Sequence, residues 1–462
     1  MADIDGGAPG ASQATGRSWL AMLPAALRSR VEGRPTLQRV LGNMGWLVLD
    51  KVLRLTVGLV VGAWIARYLG PAQFGLWNYA LAFTALFGAF ASLGLDTIVV
   101  REMVKFPGRE AELVGTAWGL KLAAGTVTLA VTVGAVTLLR PDDSLTRLLV
   151  AISAAGFVFQ SANVIDLYYQ AQLQSRYTVV AGNLAFAAVT VAKIVLLAVK
   201  APLVAFAVVG LGEMVLTSLF LVIFALKSRV SLRALSLDRK LARRLLKESW
   251  PMMFSGLAVM IYMRIDQIML GQMLGDREVG IYSAAVRLSE VWYFVPTSAV
   301  TSAFPVIVGK KRDGGAAYLD SLQTLYDSMA LLGVAVSLLV MLVSPLVVSL
   351  LYGSRYAEAA GVLSLHVWSG IFVSLGVASG SWLAAENLPN FSMYRTLFGG
   401  VVNVVLNVFL IPRYGAMGAA YSTLIAYASA VYFVLFFQRT RQCGTMLLLA
   451  FIPFKKYLLK RG

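Results

Sequence analysis

The chain has 462 residues, of which 58% are hydrophobic and 14% charged, and its mean hydropathy is +0.75. Soluble domains carry about 45–50% apolar and about 25% charged residues, so a water-soluble fold is excluded, and disorder and disulfide scaffolds with it. One Cys (Cys443) and one His (His366) exclude a Cys/His metal site, a CxxC redox pair and a Ser-His triad, yet 40 Lys and Arg against 23 acids leave a net charge of +17 that needs a place.

In chain order, residues 1–41 read as a basic cytoplasmic arm: Pro24 breaks a short apolar run, and Arg28, Arg30 and Arg34 follow it. A membrane helix needs about 20 largely apolar residues. Twelve such segments follow, at 42–66, 74–98, 114–138, 148–172, 178–199, 203–226, 251–274, 280–307, 322–350, 361–385, 392–412 and 416–437. They are too long and too uniformly apolar for the alternating strands of a membrane β-barrel. The predicted fold is an all-α integral membrane protein. Its parts are the arm, an N-lobe of six helices (42–226), a basic inter-lobe loop (227–250), a C-lobe of six helices (251–438) and a basic tail (439–462). Met446–Phe454 is too short to span and reads as an interfacial anchor.

Positive residues favour cytoplasmic loops. With the N-terminus inside, the inner connections hold 27 Lys and Arg and the outer ones 7, which predicts cytoplasmic N- and C-termini. The densest cluster lies between Lys227 and Lys247. A nucleic-acid site is one reading of it; contact with anionic lipid requires no further assumption.

Six cations remain inside predicted helices: Lys51, Arg54, Lys121, Lys193, Arg264 and Arg287. A charge in a membrane helix is costly and marks a candidate functional site. Lys121 and Lys193 lie within about two turns of a helix end, where a long stem lets the amine reach the headgroups. Asp50 and Arg54 share a face and pair by spacing, as do Arg287 and Glu290. Arg264 and Asp266 are two apart, about 200° around the helix, and need partners elsewhere. Lys51 has no acid three or four residues away. Asp166, Glu213 and Asp266 are intramembrane acids suited to pairing or to ion or proton coupling. His366 reads as a packed or interfacial histidine.

The chain also repeats itself. Leu69-Gly70, then Gly75-Leu76-Trp77-Asn78-Tyr79-Ala80, returns 205 residues later as Leu274-Gly275, then Gly280-Ile281-Tyr282-Ser283-Ala284-Ala285. The glycines predict a tight turn straight back into the bilayer. Six helices per half relate the halves by an axis along the membrane normal, as in parallel-repeat transporters.

Two stretches carry a family resemblance. Ile65-Ala66-Arg67-Tyr68-Leu69-Gly70-Pro71 into Phe74-Gly75-Leu76 is one; Arg264 to Leu270, then Val279 to Ala285 and Pro305, is the other. Over residues 40–440 the sequence resembles the polysaccharide-biosynthesis flippases of the multidrug/oligosaccharidyl-lipid/polysaccharide exporter superfamily, which are MATE-like. The resemblance implies a two-lobed transporter of a bacterial plasma membrane. It would carry an undecaprenyl-diphosphate-linked oligosaccharide from the cytoplasmic to the outer leaflet, for O-antigen, capsule or exopolysaccharide. It implies no cofactor, metal or nucleic acid, but membrane lipids and polysaccharide polymerase or chain-length machinery as partners. It further implies that cavity cations, here Lys51, Arg54, Arg264 and Arg287, receive the diphosphate or acidic sugars. The chain lacks the two extra helices expected of peptidoglycan-precursor flippases. A multidrug cation antiporter would want an acidic, aromatic cavity, against which Lys51, Arg54 and Arg264 argue. A membrane glycosyltransferase or polymerase would want a sizeable outer loop, whereas every predicted outer loop is short.

Overall fold

The computed structural model describes residues 35–227, 236–311 and 315–452. Every regular element among them is helical. The arm before residue 35, the middle of the basic loop at 228–235 and the tail from 453 lie outside the described residues. The helices are α1 (Pro35–Ser92), α2 (Asp96–Lys105), α3 (Glu110–Leu139), α4 (Ser144–Gln160), α5 (Asn163–Ala171), α6 (Arg176–Ala198) and α7 (Leu203–Lys227). Then come α8 (Arg239–Met273), α9 (Asp276–Glu290), α10 (Phe294–Gly309), α11 (Gly315–Leu351), α12 (Glu358–His366), α13 (Ser369–Ala385), α14 (Pro389–Tyr432) and α15 (Arg441–Leu449).

Ten stretches of the described residues are long and apolar enough to cross a membrane. Two of them, Lys51–Lys105 and Pro389–Phe436, run to 55 and 48 residues, against about 20 for one crossing. Each holds a glycine with non-helical angles: Gly70 at φ 74°, ψ 170° and Gly415 at φ 58°, ψ −136°. Each is thus long enough for two crossings that turn at that glycine. Gly275, the counterpart of Gly70 in the repeat, has φ 94° and ψ 177°. Gly70 and Gly275 occupy a region open essentially to glycine alone. Pro71 then opens the next helical stretch, where its missing N–H costs nothing.

The chain divides into two compact units, residues 1–60 and 61–462, each described by itself. In the first, the described residues are helical, with Lys51 exposed and Arg54 half-buried. In the second, packing falls into two sets. Helix α3 lies on α4, α4 on α7 and α6 on α7; α14 lies on α8 and α13, α9 on α12, and α11 on α12 and α13. Outward leucines such as Leu342 are 75% exposed, as expected where lipid is the solvent. Interfaces instead carry small side chains, with Ala63, Ala66, Ala284 and Ala285 fully covered, because helix association in lipid depends on close contact.

Two places join the sets. At the glycine-turn end, Gly75 and Gly280 bring helix backbones together. A Cβ at Gly75 would lie 1.7 Å from the Asp276 carbonyl oxygen, and one at Gly280 would lie 2.0 Å from that of Pro71. At the other end, the start of α8 docks on α2 and α3. Leu241 and Leu245 are buried with Leu95, Val99 and Leu113, and Arg244 meets the buried Glu102. The predicted loop 227–250 is therefore partly helical: its last twelve residues open α8, capped by Asp238, which accepts from the Lys240 N–H at 2.7 Å. The predicted interfacial anchor also differs. Helix α15 buries Cys443, Met446 and Leu447 in the core around Tyr326 and Leu375.

Candidate functional site

A cavity of about 610 Å³ opens among α1, α4, α6, α7, α8 and α9. Its wall is largely apolar, from Phe74, Trp77, Phe157 and Met214, with two cations, Lys193 and Arg287. That combination of an apolar wall and few polar groups is typical of small-molecule sites. Arg287 reaches the cavity because Gly62 leaves room: a Cβ there would lie 2.6 Å from the guanidinium carbon. Lys193 sits 4.0 Å from Glu213.

Arg264 and Asp266 have separate partners, as their angular offset requires. Arg264 on α8 lies 3.7 Å from Glu290 on α9. The predicted Arg287–Glu290 pair is thus replaced by one between helices. Asp266 is 3% exposed and fully engaged. Asn407 donates to Oδ1 at 2.5 Å; Tyr282 and Thr423 donate to Oδ2 at 2.8 and 2.7 Å. The Asn407 amide also donates to Asn403 Oδ1 at 3.1 Å. Asn407 Oδ1 is buried without a hydrogen-bond partner. Asn403 Nδ2, a donor, is buried without a partner as well, so the cluster around this carboxylate holds one spare acceptor and one spare donor.

Of the remaining predicted residues, His366 packs edge-on against Tyr282, ring centres 5.9 Å apart. Asp166 on α5 accepts from Thr178 at 2.7 Å and Gln170 at 3.0 Å. Glu213 faces Lys193. Lys121, 4% exposed, pairs with the exposed Asp96, the first residue of α2. The side chain of Asp50, the predicted partner of Arg54, lies outside the described residues. His366 is buried, its Nδ1 2.9 Å from Ser289 Oγ.

Sequence reasoning missed three groups. Arg140, counted as a loop cation, donates to Asp276 at 2.9 Å and to the Gly271 carbonyl at 2.7 Å, with its guanidinium 3.9 Å from the Tyr79 ring centre. Asn403, Asn407 and Thr423 are neutral, and nothing local marks them. Arg395, counted with the connection 386–395 although it falls within the predicted segment 392–412, lies inside α14. One signal was available for it: Glu386 is the last acid in the chain, so no later cation has a neighbour of opposite charge in sequence.

The family model described as "Polysaccharide biosynthesis protein" matches residues 40–309. The chain belongs to that family. The MatE family model matches residues 251–409. Among curated proteins, the chain is similar to the probable low-salt glycan biosynthesis flippase Agl15 of Haloferax volcanii, 26% identical over 191 residues, 41% of this chain and 40% of that protein. The match thus spans less than half of that relative. Among solved structures, the chain resembles the lipid II flippase MurJ in an inward closed conformation. The TM-score is 0.67 at 14% identity, covering 90% of this chain and 92% of that one. An inward-facing multidrug resistance MATE transporter gives a TM-score of 0.64 at 18% identity, covering 86% and 96%. At such identities these two likenesses bear on the fold alone.

Proposed function

We propose that the chain flips an undecaprenyl-diphosphate-linked oligosaccharide from the cytoplasmic to the outer leaflet of a bacterial plasma membrane, by alternating access between two six-helix lobes. The observation that carries this reading is the cavity holding Arg287 and Lys193 within apolar walls. A diphosphate needs cationic donors, its sugars need a polar path, and its lipid tail can stay in the bilayer. On this reading the turns at Gly70 and Gly415 split the two longest stretches, giving twelve crossings, and Gly75 and Gly280 meet at the outer end. The basic connections lie inside. Arg287 and Lys193 take the diphosphate, and Arg264, held by Glu290, borders its route. Lys51 and Arg54 keep their assignment as substrate cations on the sequence grounds above.

Moving two negative charges outward gains about 5 kcal/mol at 100 mV, at about 2.3 kcal/mol per charge. Asp266, buried among the neutral side chains of Tyr282, Asn407 and Thr423, is the coupling carboxylate, binding a monovalent cation or a proton. The polysaccharide-biosynthesis family and the flippase relative favour this reading over a multidrug antiporter.

The test is complementation of an export-deficient strain. Arg287→Ala, Lys193→Ala and Arg264→Ala should each abolish or strongly reduce surface polysaccharide, at unchanged membrane level. Full export in all three ends the assignment.

A further inference from the structure

Arg395 differs from three other helix-borne cations. Lys121, Lys193 and Arg264 each meet an acid. Among the described residues, no carboxylate pairs with Arg395. Its guanidinium donates to Ser379 Oγ at 2.7 Å and to the Gly376 carbonyl at 2.8 Å, both on α13. These bonds fix the plane of the fork and use two of its five N–H donors. They also place it inside α13 (Ser369–Ala385), six and nine residues from that helix's end at Ala385, or about 9–13 Å at 1.5 Å per residue. An uncompensated charge at such depth is expensive.

The same side chain borders a second cavity, of about 300 Å³. This volume is at the small end of ligand sites, which run to about 1,000 Å³. The wall is aromatic: Tyr262, Tyr293, Phe372 and Tyr427 contribute, and the Tyr262 and Tyr427 rings stack at 4.4 Å. It shares no lining residue with the first cavity. A planar cation held by neutral acceptors, with donors to spare, matches a carboxylate or phosphate in the fork geometry. The rings supply flat apolar surface with polar hydroxyl tips, which suits a pyranose better than an acyl chain.

We propose that this cavity is a second binding compartment, for an acidic sugar, in which Arg395 takes the carboxylate of a uronic acid and the tyrosine rings face the pyranose. The inference rests on the flippase reading only for the source of the sugar. The compartment would then select oligosaccharides by their acidic residue, while the first cavity takes the diphosphate.

The test uses the purified full chain in detergent, with D-glucuronic acid as probe, D-glucose as the neutral control and phosphatidylglycerol as the lipid source of an oxyanion. Glucuronic acid should raise the unfolding temperature by about 1–3 °C at saturating concentration, and glucose should not. The rise should vanish in Arg395→Ala and survive in Arg287→Ala. Val373→Trp fills the cavity and leaves the Arg395 bonds intact, so it decides the question if Arg395→Ala does not fold. No rise in the wild type, or a rise that survives in Val373→Trp or in a folded Arg395→Ala, overturns the proposal. A rise with phosphatidylglycerol alone also overturns it, in favour of a lipid site. Export by Arg287→Ala reports separately on the flippase reading, so the two can fail independently.

Discussion

Gly280→Ala is a sharp perturbation of the crossing at Gly75 and Gly280. The new Cβ would lie 2.0 Å from the Pro71 carbonyl oxygen and 3.1 Å from the Gly75 nitrogen. Carbon–oxygen contacts settle at about 3.3–3.6 Å, so the backbones must part by more than about 1 Å. Both clashing groups are main chain and cannot rotate away. Overpacking of this kind costs about 1–3 kcal/mol, and a bias of that size shifts a two-state equilibrium about 5–150-fold. Gly280→Ala should therefore populate states in which the glycine-turn end is open. Spin labels at Gln73 and Leu274, in a Cys443→Ala background, would read this by pulsed electron resonance as a longer distance component. Gly134→Ala is the control: nothing lies within 4 Å of its Cβ position, and in a helix it should be neutral or stabilising by up to about 1 kcal/mol. An unchanged Gln73–Leu274 distribution in folded Gly280→Ala would refute the idea that this crossing closes the end.

Arg140→Ala should loosen the same end, because it strands Asp276 and removes the Gly271 bond and the Tyr79 stacking. A loss of about 3–7 kcal/mol follows from two charge-assisted bonds and one cation–π contact if they add. Asp276→Asn should cost less, since two of the three contacts persist; equal unfolding temperatures for both variants and the wild type would sink this. Asp143, in the connection before α4, gives a pH signature. Burial pushes its carboxyl up, but bonds from the Thr146 hydroxyl and N–H and the nearby Arg140 outweigh that and hold it below its ordinary value. Its contribution is thus complete above about pH 4 and is lost as pH falls through the lowered folded value. Asp143→Asn should flatten the fall in unfolding temperature between about pH 4 and pH 2; an identical acid limb would contradict the assignment.

What was legible in the sequence was local. The turn glycines showed in short repeated words, Leu69-Gly70 and Leu274-Gly275, because a left-handed extended backbone admits little else. The divergence of Arg264 and Asp266 followed from 200° of helix rotation. What was not legible was tertiary. The i,i+3 rule offered Glu290 to Arg287, whereas packing of α8 on α9 gives it to Arg264. The run of basic residues at 239–247 hid Leu241 and Leu245, four apart, which anchor the start of α8. Arg395 stands at the start of the apolar segment 392–412, where the sequence does not say whether it belongs to the helix or to the connection before it. Pro389 stands in the first turn of α14, where it is tolerated.

Helix α9 connects the parts that transport must coordinate. Within Asp276–Glu290 it carries Gly280 at the closed crossing, Tyr282 on Asp266, Arg287 in the cavity and Glu290 on Arg264. Gly280 and Arg287 are seven residues apart, about 10 Å along one rigid element. A bound ion or substrate can move the closure only by as much as its affinity differs between the open and closed states, and the effect is reciprocal. Tyr282→Phe removes one donor to Asp266 and little volume; Asp266→Asn removes the charge and keeps the shape. If the Asp266 pocket reports to the closure through α9, the Gln73–Leu274 distances of the wild type should change with sodium concentration or pH. That response should weaken in Tyr282→Phe and disappear in Asp266→Asn. A wild-type distribution indifferent to both ions would mean that α9 does not link coupling to closure, and that the membrane potential acting on the substrate's own charge drives the cycle.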